Sequence, residues 1–312
     1  MKYTIPFGNR NLDLSLSDSL EISSLTPRGK NPLRPFDAAF FEALERPINA
    51  LPLRKQISQR DRVLLLCEDA TRPTPTDIIL TSLFKYFRRV GIGKEQVKIL
   101  MAYGLHKPMN RKGLKKKLGE EATTNSTILH HNAYDKKNLI LKGSTSSGVP
   151  VYLNRAIEEA DLIIGIGTIS LSKEAGYGGG AKIVMPGIAG AETIYLSHAK
   201  VAQYPNQVGK IKDNPIRQDI EESGKMAPLN YIINTVLNEK NEISQILCGD
   251  VVGTFKEGVK AFEEVYRIRI QEPFDLLIVG SSPMDMDFYQ ASKAITASSL
   301  GVRDGGAIIL IS

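Results

Sequence analysis

The feature that most constrains the fold is the alternation of short apolar runs with longer amphipathic stretches. Three runs have the pattern of buried strands: DRVLLLCED, QVKILMAYG and DLIIGIGTI. Two stretches have helical spacing: PTDIILTSLFKYFRRVGI and NRKGLKKKLG. Strands that alternate with helices predict an α/β fold, with mainly parallel sheets and Rossmann-like βαβ units.

The chain is predicted to form two domains. Residues 1–265, of which the first 55 or so look irregular to β, would form the N-terminal domain. Residues 266–312 contain FDLLIVGSS, MDFYQASKAITASSLG and GAIILIS, which predict one more βαβ unit opening a second α/β domain. One such unit is too small to bury a core of its own. Either it joins the first sheet, or the second domain is truncated.

Composition indicates a globular cytoplasmic protein that does not enter a membrane. The 312 residues are 42% hydrophobic and 24% charged. The N-terminal MKYTIPFGNRNLDL lacks the apolar region of a signal peptide, and the longest apolar runs fall far short of the roughly 20 residues that span a bilayer. Cys67 and Cys248 lack metal-type spacing, which favours a reduced compartment.

The net charge of +6 favours anionic ligands, but it does not indicate nucleic acid. In the densest basic run, NRKGLKKKLGEE, Leu114 and Leu118 are four apart, so the lysines are predicted on the solvent face of a short helix. No aromatic stripe or nucleic-acid-binding signature accompanies this charge.

Two common nucleotide-binding motifs do not fit this sequence. A Walker A loop ends in Gly-Lys-Ser or Gly-Lys-Thr, whereas Lys182 lies between alanine and isoleucine. A dinucleotide fingerprint needs a third glycine after Gly165 and Gly167, and position 170 is serine. A nicotinamide-type dehydrogenase therefore stays only as an alternative.

Polar residues follow two neighbouring strands, where ligands bind in open α/β sheets. In EDATRPTP, Arg72 could clamp a carboxylate and Asp69 could hold Arg72 or a nearby histidine. Thr74 is predicted as the cap of the next helix. His106, in AYGLHKP, follows the next strand, and its unperturbed pKa suits proton transfer. The alternative for EDATRPTP is an ordinary capped turn between strand and helix, and the alternative for His106 is a structural histidine.

The block GYGGGAKIVMPGIAG surrounds one lysine, Lys182, with glycines that permit close approach of another group. His198 follows in a predicted helix, but one histidine does not make a protein-only metal site, so a metal there would need ligands from a cofactor. His130 and His131 are interpreted as structural. Gln290 and Lys293 are three apart and so share one face of a predicted helix, just after the strand FDLLIVG. This face could meet a ligand at the carboxyl end of that strand, or it could simply be exposed to solvent.

Together DATRPTP, GLHKP, AGYGGGAKIVMPGIAGAETIYLSH and QASK resemble the nickel-dependent lactate racemase family in order and spacing. The resemblance runs from about Asp61 onward. It implies a nickel pincer nucleotide made by separate maturation enzymes, with Lys182 joined covalently to one sulfur arm and His198 ligating nickel. The first domain would bind this cofactor and the second the substrate.

The resemblance also implies further cofactor contacts. These would come from the loop and glycine block, at Asp69, Thr71, Gly179 and Gly180. Four glycines would let the backbone approach the flat cofactor: Gly176, Gly178, Gly179 and Gly180.

The activity implied is racemisation or epimerisation of a 2-hydroxy acid by reversible hydride transfer from C2. His106 would be one acid/base, Arg72 would hold the substrate carboxylate and Asp69 would support them. Gln290 and Lys293 would bind substrate from the second domain, which places the substrate in a cleft between domains.

One departure from the family concerns the second acid/base histidine, ten residues before the cofactor lysine. Here that position is Ser172. Lys173 and Tyr177 are the nearby candidates to replace it. We therefore expect a 2-hydroxy acid other than lactate as the substrate, such as a sugar acid whose hydroxyl groups bind Ser172. The rival interpretation is a binding homologue that has lost turnover.

Overall fold

The computed structural model describes residues 2–8, 10–205, 207–282 and 288–312, with the backbone alone at 289 and 290. Helices in these ranges are α1 Phe36–Glu45, α2 Leu53–Gln56, α3 Thr76–Arg89, α4 Arg111–Leu118, α5 Glu120–Asn125, α6 Ala191–Ala199, α7 Pro215–Met226, α8 Val251–Tyr266 and α9 Phe288–Ser298. Strands are β1 Lys2–Phe7, β2 Arg10–Ser15, β3 Val63–Glu68, β4 Val97–Ala102, β5 Thr127–His130, β6 Leu139–Ser144, β7 Pro150–Asn154, β8 Leu162–Thr168, β9 Leu171–Ser172, β10 Gly176–Tyr177, β11 Tyr231–Leu237, β12 Ile243–Gly249, β13 Phe274–Gly280 and β14 Val302–Ile311.

A six-stranded sheet in the order β12-β11-β8-β3-β4-β5 forms the centre of the fold. Its strands pair in parallel except β11 with β12. Along β3, Leu64 and Leu66 pack into one hydrophobic core, whereas Leu65 and Cys67 pack into another. Because both faces are covered, the strand is apolar throughout rather than alternating. The predicted α/β class is confirmed.

The parallel strands bring their carboxyl ends to one edge of the sheet, where the loops of the candidate site meet. The loop after β4 contacts the segment that follows Lys182, since the Gly104 amide donates to the Gly187 carbonyl at 2.9 Å. The segment after β8 is fixed to β11 by the Ile169 amide, which donates to the Thr235 carbonyl at 2.9 Å.

The last βαβ unit does not join the central sheet. Strands β13 and β14 pair in parallel as a separate two-stranded sheet, with α9 between them in the chain. The β1–β2 hairpin packs beside this unit, and a Cβ added to Gly280 would lie 2.7 Å from Cγ2 of Ile5. The boundary at residue 265 falls next to the end of α8 at Tyr266 and remains a proposal.

Two local predictions are wrong. Thr74 does not cap α3, which begins at Thr76 after Pro75; the Thr74 hydroxyl donates instead to the Glu68 carboxylate. Lys117 does not lie on the solvent face of α4 but is buried. Within the described ranges, no helix combines the length and apolar character needed to cross a bilayer.

Candidate active site

The loop after β3 presents a buried carboxylate to His106. Asp69 Oδ1 accepts from the Thr71 amide at 2.9 Å and from the Thr71 hydroxyl at 2.5 Å. Asp69 Oδ2 lies 2.6 Å from Nδ1 of His106. Two residues separated by 37 positions in the chain are therefore brought into contact, because β3 and β4 are parallel neighbours that end at the same edge.

The electrostatics of Asp69 favour its ionised form. Burial alone would raise the pKa of this carboxyl, but the hydrogen bonds from His106 and Thr71 outweigh burial, and its pKa is lowered. Since an ionised carboxylate only accepts, Nδ1 of His106 carries the proton. In the neutral ring Nε2 then has the lone pair, and the side chain is 39% exposed. This pair can accept a proton from a ligand at Nε2.

Arg72 projects from the same loop. Its Nη1 donates to the Thr71 hydroxyl at 2.9 Å and to the Thr71 carbonyl at 3.4 Å. Both contacts are with the loop itself rather than with a carboxylate of the protein. Its positive charge is among those that act on Lys182, so the two cations face a common region.

Lys182 lies in a short 3₁₀-helix, Gly180–Ile183. Its Nζ donates to the Ser172 hydroxyl at 2.9 Å. Burial lowers the pKa of Lys182 to about 7; the Glu174 carboxylate opposes this shift, and the charges of Arg72, Arg217 and Lys293 add to it. A substantial neutral fraction of this amine is therefore present near pH 7.

Lys182 and His198 line one pocket, which is partly open to solvent. Glu174 and Pro186 also line it. In α6, Nδ1 of His198 lies 2.8 Å from the Ile194 carbonyl, which can only accept, so Nδ1 carries the proton. Nε2 of the neutral ring is left as the possible metal ligand.

The described residues hold no group of three or more His, Cys, Asp or Glu side chains that could bind a metal ion. A metal at His198 would need other donors, as the sequence predicts. A neutral amine at Lys182 and an imidazole lone pair at His198 on one pocket are compatible with a cofactor that bonds covalently to lysine and supplies the remaining ligands. The donor set of the pocket therefore fits the implied group.

The packing of the chain itself requires the glycines before Lys182. A Cβ on Gly179 would lie 2.6 Å from Cδ1 of Ile169, and one on Gly180 2.9 Å from Cδ2 of Phe255. Both glycines also have positive φ, at 82° and 61°. The Cβ directions of Gly176 and Gly178 are likewise occupied by atoms of the protein. These glycines permit tight packing of the chain against itself, and the approach of a cofactor to their backbone stays a prediction.

Ser172 is buried and lies beside Lys182 rather than free in the pocket. Its hydroxyl accepts from Lys182 and from the Ala175 amide at 3.3 Å, and it donates to Oε2 of Glu174 at 3.4 Å. Tyr177 donates to Oε1 of Glu263 at 2.7 Å. Burial and this contact raise the pKa of Tyr177, which makes it unsuited to proton exchange near pH 7.

Three polar residues at the site were missed from the sequence. Glu174 lines the pocket, and an acid just before the glycine-rich block is a signal that could have been used. Lys117 contacts the Arg72 loop, and its place three residues after Leu114 on the apolar face of the helix is a signal for burial. Arg217 is buried beneath the glycine block and has no sequence signal. Arg217 donates from Nε to the Ala175 carbonyl at 3.1 Å and from Nη2 to the Tyr177 carbonyl.

His130 and His131 make structural contacts. Nε2 of His131 donates to the Ala189 carbonyl at 2.9 Å, and burial lowers the pKa of this ring to about 4. His130 stacks on Tyr103 at 5.8 Å between ring centroids. The interpretation of both as structural agrees with these contacts.

The remaining candidates lie on α9, between β9 and β10, and in β8. Lys293 on α9 is half-buried and acts electrostatically on Lys182, whereas the side chain of Gln290 lies outside the described part of the chain. Lys173 is exposed. Gly165 and Gly167 lie inside β8, not in a turn before a helix, so the context of a dinucleotide fingerprint is missing.

An α/β sheet whose strand ends carry an Asp–His pair, beside a pocket with a low-pKa lysine, defines a small-molecule site of the kind that enzymes build. Residues 7–209 match the family model described as Lactate racemase N-terminal domain. The chain belongs to the lactate racemase family.

Relatives and solved structures agree with this membership. The chain is 31% identical over 274 residues to a lactate racemase of Lactiplantibacillus plantarum, covering 87% of this chain and 64% of the relative. It is 30% identical over 272 residues to a lactate racemase of Thermoanaerobacterium thermosaccharolyticum, covering 86% of this chain and 63% of the relative. The chain thus spans slightly less than two thirds of these curated relatives.

The structure of the lactate racemase apoprotein from Thermoanaerobacterium thermosaccharolyticum superimposes with a TM-score of 0.89 at 29% identity, covering 99% of this chain and 74% of that one. A crystal structure of a protein from Thermotoga maritima superimposes with a TM-score of 0.67 at 22% identity, covering 82% of this chain and 65% of that one. The second match supports the fold alone.

Proposed function

We propose that this chain acts in a racemase or epimerase that inverts C2 of a 2-hydroxy acid with a nickel pincer nucleotide. The observation that carries the proposal is the pocket shared by Lys182 and His198. The Asp69–His106 pair at the same edge of the sheet and the relatives named lactate racemase support it.

Lys182 would hold the cofactor covalently and His198 would ligate nickel through Nε2. Neutral amine character at Lys182 favours bond formation, since only the unprotonated nitrogen is a nucleophile. The loop residues Asp69 and Thr71 and the backbone at Gly179 and Gly180 would flank the nucleotide. When bound, the cofactor would accept a hydride from C2 and return it.

The chain itself would bind the substrate and move one proton. Arg72 would hold the substrate carboxylate through paired hydrogen bonds, with Lys293 and Gln290 contacting the substrate from α9. His106 would take the proton of the C2 hydroxyl at Nε2 and give it back. Asp69 would keep the ring oriented and stabilise its charged form.

The pocket lining favours a substrate more polar than lactate. Glu174 lines the pocket beside Lys182, where a hydroxyl-bearing chain can make hydrogen bonds and a methyl group cannot. Ser172 would join in binding by exchanging its contact with Glu174 for one with a substrate hydroxyl. A sugar acid has this chemistry. The exposure of Lys173 and the contact of Tyr177 with Glu263 argue against either as a second acid/base.

A screen for C2 inversion tests the proposal. Protein from a pincer-making host is incubated in D₂O with lactate and with polyhydroxy 2-hydroxy acids. Hydride return predicts inversion with the original hydrogen retained at C2, whereas proton abstraction from C2 would introduce deuterium. Fastest turnover of lactate, together with slowing of that turnover by Ser172→His, would contradict the assignment of a polar substrate.

The second candidate function is a binding homologue without turnover. The replacement of the family's second acid/base histidine by Ser172 favours it. Protein that carries the cofactor and binds a 2-hydroxy acid, but inverts none of the panel, would establish this candidate instead.

A further inference from the structure

Lys117 is a buried cation beneath the Arg72 loop. Lys115 and Lys116 on the same helix are exposed, whereas Lys117 is only 8% exposed. Its Nζ donates to two backbone carbonyls, those of Arg72 and Thr74, each at 2.8 Å. The helix thus turns one lysine inward to bind a loop some 43 residues away in the chain.

The burial of this ammonium group is unfavourable by itself. Desolvation lowers the pKa of Lys117, and the nearby carboxylates of Glu68, Asp69 and Asp77 oppose this effect. A buried charge of this kind is retained where it satisfies groups that would otherwise be unpaired. Here that group is the Arg72 carbonyl, in the irregular backbone between β3 and α3, whereas the Thr74 carbonyl also accepts from the Thr76 amide at 2.8 Å.

The two carbonyls are those of Arg72 itself and of Thr74, two residues further along the loop. On the Asp69 side the loop is fixed by the Asp69 contacts with Thr71. On the α3 side Thr74 is fixed through its hydroxyl on Glu68. Between these points, the Lys117 contacts are the link from the loop backbone to a separate element, α4.

We propose that Lys117 is a positioning residue, which holds the loop backbone so that the Arg72 guanidinium stays in place for a substrate carboxylate. The inference rests on the proposed function, in which Arg72 anchors a 2-hydroxy acid. It assigns Lys117 an effect on substrate binding rather than on the chemical step, because His106 is oriented separately by Asp69.

The test compares Lys117→Met with Lys116→Met, an exposed lysine on the same helix. Hydrogen exchange of the purified protein, followed by mass spectrometry, reports on residues 70–75. Steady-state kinetics with the best substrate of the screen report KM and kcat. Loss of the Lys117 bonds should raise KM by about tenfold or more, with kcat changed by less than about threefold, and should speed exchange in the loop.

Lys117→Arg, which keeps a positive donor, should restore part of the affinity. If Lys117→Met cannot be recovered folded, Lys117→Gln, which keeps one donor, replaces it in both measurements. An unchanged KM, a loss confined to kcat, or loop exchange equal to that of Lys116→Met would overturn the inference. A wild-type protein that turns over no 2-hydroxy acid would instead refute the proposed function, and the exchange data would still test the loop contact.

Discussion

Glu174→Gln tests the electrostatic account of the lysine site. The amine of Lys182 has its pKa lowered from 10.5 to about 7, chiefly by burial, with the Glu174 carboxylate opposing. This shift corresponds to roughly 5 kcal/mol in favour of the neutral amine. Near pH 7 the neutral fraction of Lys182 is therefore far above the roughly one part in three thousand of an ordinary lysine.

Removing the Glu174 charge takes away the main group that favours the protonated amine. The pKa of Lys182 should then fall further below about 7. The other charges acting on this amine are positive and stay in place: Arg72, Arg217 and Lys293. The direction of the change is therefore unambiguous.

The assay is competitive acylation of protein from a host that does not make the cofactor. A limiting acylating reagent is added between pH 5 and 10, and labelling of Lys182 is measured by mass spectrometry against an added model peptide with one lysine. The labelling of Lys182 should rise around pH 7 in wild type and at lower pH in Glu174→Gln. The reasoning is refuted if wild-type Lys182 titrates together with the model peptide, or if Glu174→Gln shifts the profile upward.

Three more predictions concern the Asp–His pair and the anchor. His106→Ala should lower kcat by roughly 10²–10⁴-fold in the turnover assay, the scale of a lost general base; wild-type turnover would contradict its assignment. Arg72→Lys should raise KM about tenfold or more, because a point charge cannot replace a planar fork; an unchanged KM would exclude Arg72 as the anchor. Because the pKa of Asp69 is lowered in the folded protein, its contribution to the free energy of unfolding is present above the unfolded value of about 3.9 and is lost as pH falls through the folded value. Urea unfolding between pH 2 and 7 should show that loss in wild type and not in Asp69→Asn.

Much of the sheet could be predicted because its strands are buried on both faces. The apolar run of β3 and the amphipathic pattern of α3 are strong periodic signals. Strands β11 and β12 were not predicted, although β11 lies in the interior of the sheet. Asn234 and Thr235 interrupt the apolar run of β11, and their side chains are satisfied by contacts that only the folded chain provides.

The site could be predicted to the level of which residues meet, but not how each is held. Strand order brings Asp69 to His106, and that follows from parallel strands ending at one edge. The inward turn of Lys117 agrees with helical spacing, since it lies three residues after Leu114 and shares a face with Leu118, but no pattern indicates the loop carbonyls that it binds. The glycines before Lys182 likewise follow from the packing of Ile169 and Phe255, which no local pattern contains.

Lys182 is proposed to carry the cofactor and His198 to ligate its metal. The most direct measurement is intact mass together with nickel content for wild type and Lys182→Ala, both purified from a pincer-making host, with Lys173→Ala as a matched exposed control. The account predicts a covalent adduct and stoichiometric nickel in wild type and the control, and neither in Lys182→Ala. A Lys182→Ala protein that keeps stoichiometric nickel would contradict it.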